Sequence, residues 1–279
     1  MVIGNKKNIE AFDGLLDSTQ EKDCHLSIFR YEGGLSFSIL RKDLLKYILV
    51  ASYPTRDTIE AAAHLDQFTG DYRSVSLVET RSPGVLVPQG LYDANLKQEW
   101  LNASQSEFSS HAQVEEEVIQ SAKAVLLTSG PSDIRAHVER SFPLVHAHSA
   151  QGIFTEGVMT EGRYKPGHKM HAGLYGSHMY LVYLSEGNLV LSNVFTLKSI
   201  EDIAYYILAL VDQYGISPKA LEVTFSGDQN SVEQALDLIS SYGMVLSQAA
   251  YPAAYTYSNA FSNIPHYAFY MNYIPYSCV

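Results

Sequence analysis

The sequence predicts an α/β protein of two lobes, each a mixed β-sheet flanked by helices. Three observations carry this expectation. The chain has 279 residues, near the upper end of what one hydrophobic core supports. Two stretches about 154 residues apart share a β-hairpin pattern. After each hairpin, strand-like runs alternate with helical spacings, the signature of sheets covered by helices. A hydrophobic fraction of 46% with 18% charged residues is that of a folded chain rather than a disordered one.

The first hairpin spans His25 to Phe37, with Glu32-Gly33-Gly34 as its turn, because glycine supplies the positive φ a tight turn requires. Leu44 to Ala51 reads as a third strand. Pro54 opens a helix ending near Gly70, and Ser74 to Val78 resumes as a strand. Val85 to Val87 reads as a strand, Leu91 to Asn102 as a helix carrying Trp100, Ser104 to Ser110 as a polar loop, and Ala124 to Leu127 as another strand. Pro131-Ser132 begins a helix to Arg140, and Leu144 to Ala147 is strand-like. The stretch from Gly152 to Gly176 is glycine-rich and reads as irregular, which places the lobe boundary there.

The second hairpin spans His178 to Leu191 around Glu186-Gly187-Asn188. Laying Glu32-Gly33-Gly34-Leu35 over Glu186-Gly187-Asn188-Leu189 suggests a duplication. Ser199 and Asp202 form a capping pair before apolar residues at helical spacing from Ile200 to Tyr214, and Gly215 ends that helix. Leu221 to Phe225 is a strand, Ser231 with Gln234 a second capping pair, and Met244 to Leu246 a last strand. The lobes are then residues 1–172, with an inserted segment around 81–122, and residues 173–279.

Several function classes are excluded or disfavoured. Thirty acidic against nineteen basic residues give a net charge of −11, the opposite of a phosphate-backbone binder, so nucleic acid is not an expected partner. No apolar run reaches the roughly 20 residues of a membrane span, and Met1 to Thr19 lacks a secretory core, so a cytoplasmic protein is expected. Cys24 and Cys278 form no disulfide framework or thiolate zinc site. Glu115-Glu116-Glu117 reads as an exposed helix or loop face rather than a metal site. Histidines 146, 148, 168, 171 and 178 lack a ligand motif, so no metal is expected. No Walker-type loop and no Gly-x-Ser-x-Gly elbow is present. The tyrosine-rich tail from Tyr251 to Tyr276 is either core packing or an aromatic partner-binding surface.

A hairpin followed by strand, helix and strand, present twice, resembles the actin-like ATPase (ribonuclease H-like) fold. More specifically, the segments His25 to Leu40 and Asn188 to Gly227 resemble an uncharacterised Bacteroidetes family, domain of unknown function 3822, whose members are described as having that fold. The middle of the first lobe, Val87-Pro88 and Val125-Leu126-Leu127, is similar to bacterial actin-like cell-division and pilus-assembly proteins. The resemblance implies a nucleotide site between the lobes, with a hairpin turn from each holding phosphates and an acid from each positioning Mg²⁺ or water.

Three segments are the candidates for that site: Glu32, Gly33 and Gly34; Glu186, Gly187 and Asn188; and Ser226, Gly227 and Asp228, a strand-to-helix turn. The Asp-x-Gly-Thr pattern of the fold is replaced by Phe29-Arg30-Tyr31-Glu32-Gly33-Gly34, and Tyr183-Leu184-Ser185-Glu186 likewise lacks the acid. No catalytic residue and no cofactor is therefore predicted. The sequence points to a non-catalytic binding or scaffold protein with a degenerate nucleotide site and an unidentified protein partner. The alternative is a nucleotide-binding ATPase or kinase-like enzyme, using ATP with Mg²⁺ in a rearranged site.

Overall fold

A computed structural model describes residues 8–16, 19–55, 57–104 and 113–278. In chain order the first part comprises β1 (Ile9–Phe12), β2 (Cys24–Tyr31), β3 (Gly34–Arg41), β4 (Lys46–Pro54), α1 (Thr58–Leu65) and β5 (Ser74–Glu79). There follow β6 (Val85–Pro88), α2 (Lys97–Ser104), β7 (Val114–Ile119), β8 (Ala124–Ser129), α3 (Arg135–Ser141), β9 (His146–Ser149) and α4 (Ala150–Gly162). The remainder comprises β10 (His168–Tyr175), β11 (His178–Ser185), β12 (Asn188–Thr196), α5 (Glu201–Gln213), β13 (Leu221–Gly227), α6 (Gln229–Ile239), β14 (Val245–Gln248), β15 (Thr256–Tyr257) and the short helices α7 (Tyr270–Tyr273) and α8 (Pro275–Cys278).

Two large sheets repeat one topology. The first has the order β1-β4-β3-β2-β5-β9, with β15 beside β4, and the second β12-β11-β10-β13-β14. In each, three antiparallel strands lead to two parallel ones through helices, so β2, β3, β4, β5 and β9 correspond to β10, β11, β12, β13 and β14. A small third sheet, β6-β8-β7, is inserted after β5. Period-2 alternation explains why the central strands hold no exposed face. On β2 and β3, Leu26, Ile28, Leu35, Phe37 and Ile39 join one core, while Phe29 and Tyr31 turn the other way into the second.

Several local expectations need correction. Pro54 closes β4 rather than opening a helix; Asp57 caps α1 by accepting from the Glu60 amide. Ser231 lies inside α6, which starts after Asp228. Asp202 does reach back to the Lys198 and Ser199 amides, at 2.6 and 3.0 Å. Of the expected Leu91–Asn102 helix only the part from Lys97 is α-helical, after two single 3₁₀ turns. Residues 105–110 of the expected polar loop lie outside the described residues. The three consecutive glutamates form strand β7, not a helix or loop, and alternate between faces. Glu116 takes Lys97 and Tyr92, while Glu115 takes Arg81 and Arg135 and Glu117 takes His148 and the Ser149 amide.

The largest correction concerns Gly152 to Gly176, read as irregular. It holds most of α4 and all of β10. Its helical glycines serve close packing: a Cβ at Gly152 would lie 2.5 Å from a Glu117 oxygen, and one at Gly157 would lie 2.7 Å from Ile274. A helix buried on nearly every side shows no amphipathic stripe, which is why its period was invisible. The tyrosine-rich tail is core: Tyr47 and Tyr273 are buried together, ring centroids 4.7 Å apart.

Candidate functional site

The carboxyl ends of the parallel strands of the two sheets meet at one junction, and the carboxyl ends of such strands are the usual place for a ligand in α/β proteins. From the first sheet come the ends of β2 and β5, with Tyr31 and Glu79; from the second come the ends of β10 and β13, with Tyr175 and Gly227. The topology determines which hairpin belongs here. The turn after β2 is Glu32-Gly33, and its counterpart after β10 is Gly176-Ser177. The repeat therefore runs at about 144 residues, Tyr31 over Tyr175, and not at about 154.

Of the candidates, Glu32, Gly33, Gly34, Ser226, Gly227 and Asp228 come together in this region, and Glu186, Gly187 and Asn188 do not. The latter turn joins β11 to β12 at the other end of the strand from His178, about 23 Å away at about 3.3 Å per residue. There Glu186 accepts from the Gly167 amide at 3.1 Å. Positive φ at both Glu186 and Gly187, 51° and 75°, makes an ordinary twisted hairpin turn. The error arose because two Glu-Gly turns look alike locally while a meander places successive turns at opposite ends.

At this junction the two tips touch. The Ser177 hydroxyl donates to the Glu32 carboxylate, and His178 Nδ1 lies 3.6 Å from Glu32 Oε2. Burial pushes the His178 imidazole below its usual pKa, against the pull of Glu32. Gly176 adopts φ +62° with its Cα against the other tip, so that a Cβ would stand 2.4 Å from the Glu32 carbonyl oxygen. The Gly176 amide donates to Asp228 Oδ2 at 3.1 Å, and the Asp228 amide donates to the Leu174 carbonyl at 2.8 Å. Gly227, at φ +115°, has no room for a Cβ beside Leu174, and Ser226 is buried with its hydroxyl 3.0 Å from His171 Nε2.

Aromatic rings fill the space behind the tips. Tyr31 folds over its own hairpin, where a Cβ at Gly34 would lie 2.2 Å from its ring, so this glycine clears room for a phenol. Phe29 meets Tyr31 at 5.1 Å and Tyr175 edge-on at 5.0 Å, and Tyr180 lies 6.3 Å from Tyr175. The Tyr180 hydroxyl is 2.8 Å from Thr80 Oγ1, linking the sheets again. Burial raises the pKa of Tyr31, Tyr175 and Tyr180, so all three are neutral phenols.

The guanidiniums of Arg30, Arg81 and Arg135 near these strand ends are engaged with carboxylates. Arg30 grips both Asp133 oxygens, at 3.1 and 2.9 Å, and donates to Thr55 Oγ1 and the Gly34 carbonyl, bracing the first hairpin. The fully buried Glu79 accepts from Arg81 Nε at 3.0 Å, from Arg135 Nη2, and from Ser132 through N and Oγ. Both arginines also meet Glu115, whose carboxyl is held below its ordinary pKa by them against the opposing effect of burial. Among the described residues no group of three or more His, Cys, Asp or Glu is arranged to hold a metal ion. Tyr31, Gly176, Ser177 and Tyr175 escaped the sequence reading, although the Tyr-turn pattern at both strand ends was there to be aligned.

Over residues 13–244 the sequence matches the family described as protein of unknown function DUF3822. The chain belongs to that family. No curated protein matches the sequence. Among solved structures, the family's fold is shared with a Bacteroides thetaiotaomicron protein with actin-like ATPase fold and unknown function. That protein is 16% identical, with a TM-score of 0.70, over 82% of this chain and 91% of the other. The PilM–PilN type IV pilus biogenesis complex aligns at 14% identity and a TM-score of 0.51, over 84% of this chain and 90% of the other. The fold is thus that of the actin-like ATPases, a mixed α/β architecture. No helix among the described residues is long and apolar enough to cross a membrane.

Proposed function

We propose that this chain is a non-catalytic, cytoplasmic binding or scaffold protein in which the inter-lobe nucleotide site of the actin-like fold has degenerated. One observation carries the reading: the two hairpin tips that would each cradle phosphate contact one another, Gly176 and Ser177 against Glu32. The room that glycine gives a phosphate is taken at Gly34 by the Tyr31 ring. The polar groups are also engaged, since Glu32 receives Ser177, Asp228 receives the Gly176 amide, and Arg30, Arg81 and Arg135 neutralise Asp133, Glu79 and Glu115. Action through a protein partner fits the likeness to PilM, seen in complex with PilN. We divide the lobes between α4 and β10 rather than at residue 172, because β10 pairs from His168 onward within the second sheet, and we extend the insert from 122 to Ser129 so that it includes β8.

A second reading, a nucleotide-binding ATPase or kinase-like enzyme using ATP with Mg²⁺, is favoured by the placement of Glu32 and Asp228 on either side of Gly176. Calorimetry of the purified protein against ATP and ADP with magnesium separates the two. The scaffold reading expects no heat of binding. Magnesium-dependent micromolar affinity, weakened in Glu32→Ala, would replace it with the second.

A further inference from the structure

The small inserted sheet β6-β8-β7, with α2, has a core of its own. Val87, Leu101, Val114, Val125 and Leu127 pack with Val85, Tyr92 and Trp100, and among the described residues none of them belongs to the core of either lobe. The opposite face of β7 carries Glu115, Glu117 and Ile119. Ile119 is buried there with its β8 neighbours Ala124 and Leu126, and these three also join neither lobe's core.

What ties this unit to the rest of the chain is polar. Glu115 meets Arg135 at 2.5 and 2.9 Å and Arg81 at 2.8 Å. Glu117 lies 2.9 Å from His148 Nδ1 and accepts from the Ser149 amide at 3.0 Å. From α4, Glu156 accepts from the Ser121 amide at 3.1 Å, and the Gln151 side chain brackets Gly84, accepting from its amide at 2.8 Å and donating to its carbonyl at 3.4 Å.

A joint of this kind opens more readily than a core. Ion pairs gain little beyond the cost of desolvating them, because separated charges return to water, whereas apolar surface regains nothing on exposure. Undocking strands no arginine, since Arg81 and Arg135 both keep the buried Glu79 while Glu115 and Glu117 leave with the insert. The chain enters the unit through Ser82-Pro83 and leaves it through Gly130-Pro131, and Gly130 sits at φ +69° with open space around it. We infer that the insert docks and undocks as one unit, turning about residues 82–83 and 130–131, with its own core kept and the two lobes left joined.

Hydrogen exchange of the full chain, resolved at single amides by NMR, tests this. Three amides donate across the joint and report on it: Gly84, Ser121 and Ser149. In the wild type they are expected to share one opening free energy, lower than that of the amides paired between β7 and β8, whose bonds stay inside the unit. Glu115→Gln touches none of the three reporters. It is expected to speed all three by one common factor of about 10–100, the loss of a charge-assisted hydrogen bond, and to leave the amides of β2 and β3 unchanged. Should that variant not fold, Glu117→Gln carries the same test, read at Gly84 and Ser121. Unrelated rates at the three amides, no response to the substitution, a response confined to one amide, or equal acceleration in β2 and β3 overturns the inference.

Discussion

Gly176→Ala tests the contact between the hairpin tips, because the same substitution at Gly33 provides its control. Both glycines have positive φ, +62° and +78°, so alanine costs about 1 kcal/mol of left-handed strain at either. They differ in surroundings. A Cβ at Gly33 meets nothing within 4 Å, whereas one at Gly176 falls 2.4 Å from the Glu32 carbonyl oxygen and 3.1 Å from its Cβ. These neighbours are backbone and the root of a side chain, so relief requires the tips to separate, and overpacking of this kind costs about 1–3 kcal/mol more. Gly33→Ala is therefore worth about 1 kcal/mol and Gly176→Ala about 2–4 kcal/mol. At about 2 °C per kcal/mol for a chain of this size, thermal unfolding should fall by about 2 °C in the first and about 4–8 °C in the second. Equal shifts in the two variants would refute the contact between the tips.

Glu79→Gln should cost about 3–5 kcal/mol, seen as a lowered melting temperature, because it leaves the Arg81 and Arg135 guanidiniums short of a buried counter-charge. Stability should fall with pH between about 6.5 and 5, since His25 and His171 are held neutral by burial at pKa values of about 3. A depressed histidine stabilises the fold fully above its unfolded value and progressively less below it, here about 2 kcal/mol lost per histidine by pH 5. Carboxylates such as Asp13, at about 2, titrate below that window, and a flat melting profile from pH 7 to 5 would contradict the assignment. Asn272→Ala should cost about 1–3 kcal/mol by stranding the buried Ser36 hydroxyl, which donates to Asn272 Oδ1 at 2.8 Å. In the double variant Ser36→Ala, Asn272→Ala much of that loss should return, measured by the same melts.

What the sequence disclosed follows from the range of the interaction involved. Hairpin turns at Glu32-Gly33 and Glu186-Gly187 were readable because positive φ is a local demand that glycine meets. The capping contact of Asp202 was readable for the same reason. α4 was not, because Gly152 and Gly157 answer to Glu117 and Ile274, which are distant in the chain, and glycine used for packing is indistinguishable in sequence from glycine used in a loop. The site suffered most. Tyr31 and Gly34 are three residues apart, yet the fit of one ring over the other's missing side chain appears only once β2 and β3 pair. Ser177 gains meaning only from Glu32 across the junction.

The lobes are joined at a second place, and the two junctions reinforce one another. The tail pairs β15 with β4 and then passes between the sheets, where Phe269 and Tyr273 enter the cluster against the first sheet while Tyr270, Met271 and Ile274 enter that of the second. Beyond the contacts of β15, three hydrogen bonds fix its later part to the first sheet: Ser36 and Ser38 donate to Asn272, and Tyr47 donates to the Tyr273 carbonyl at 2.9 Å. A fourth goes to the second, from the Met271 amide to the Tyr175 hydroxyl, and Tyr175 is itself a member of the aromatic cluster behind the hairpin tips. A hinge movement that opened the junction would have to part Glu32 from Ser177, Thr80 from Tyr180, and the tail from one of its two sheets. Parting the part-buried Thr80–Tyr180 pair or a buried tail contact without a new partner costs about 1–3 kcal/mol each, whereas the exposed Glu32–Ser177 pair would exchange its bond for water at little cost. These contacts oppose the equilibrium between two arrangements on which nucleotide-driven lobe closure rests, and they support the proposed use of the molecule as a surface displayed to a partner.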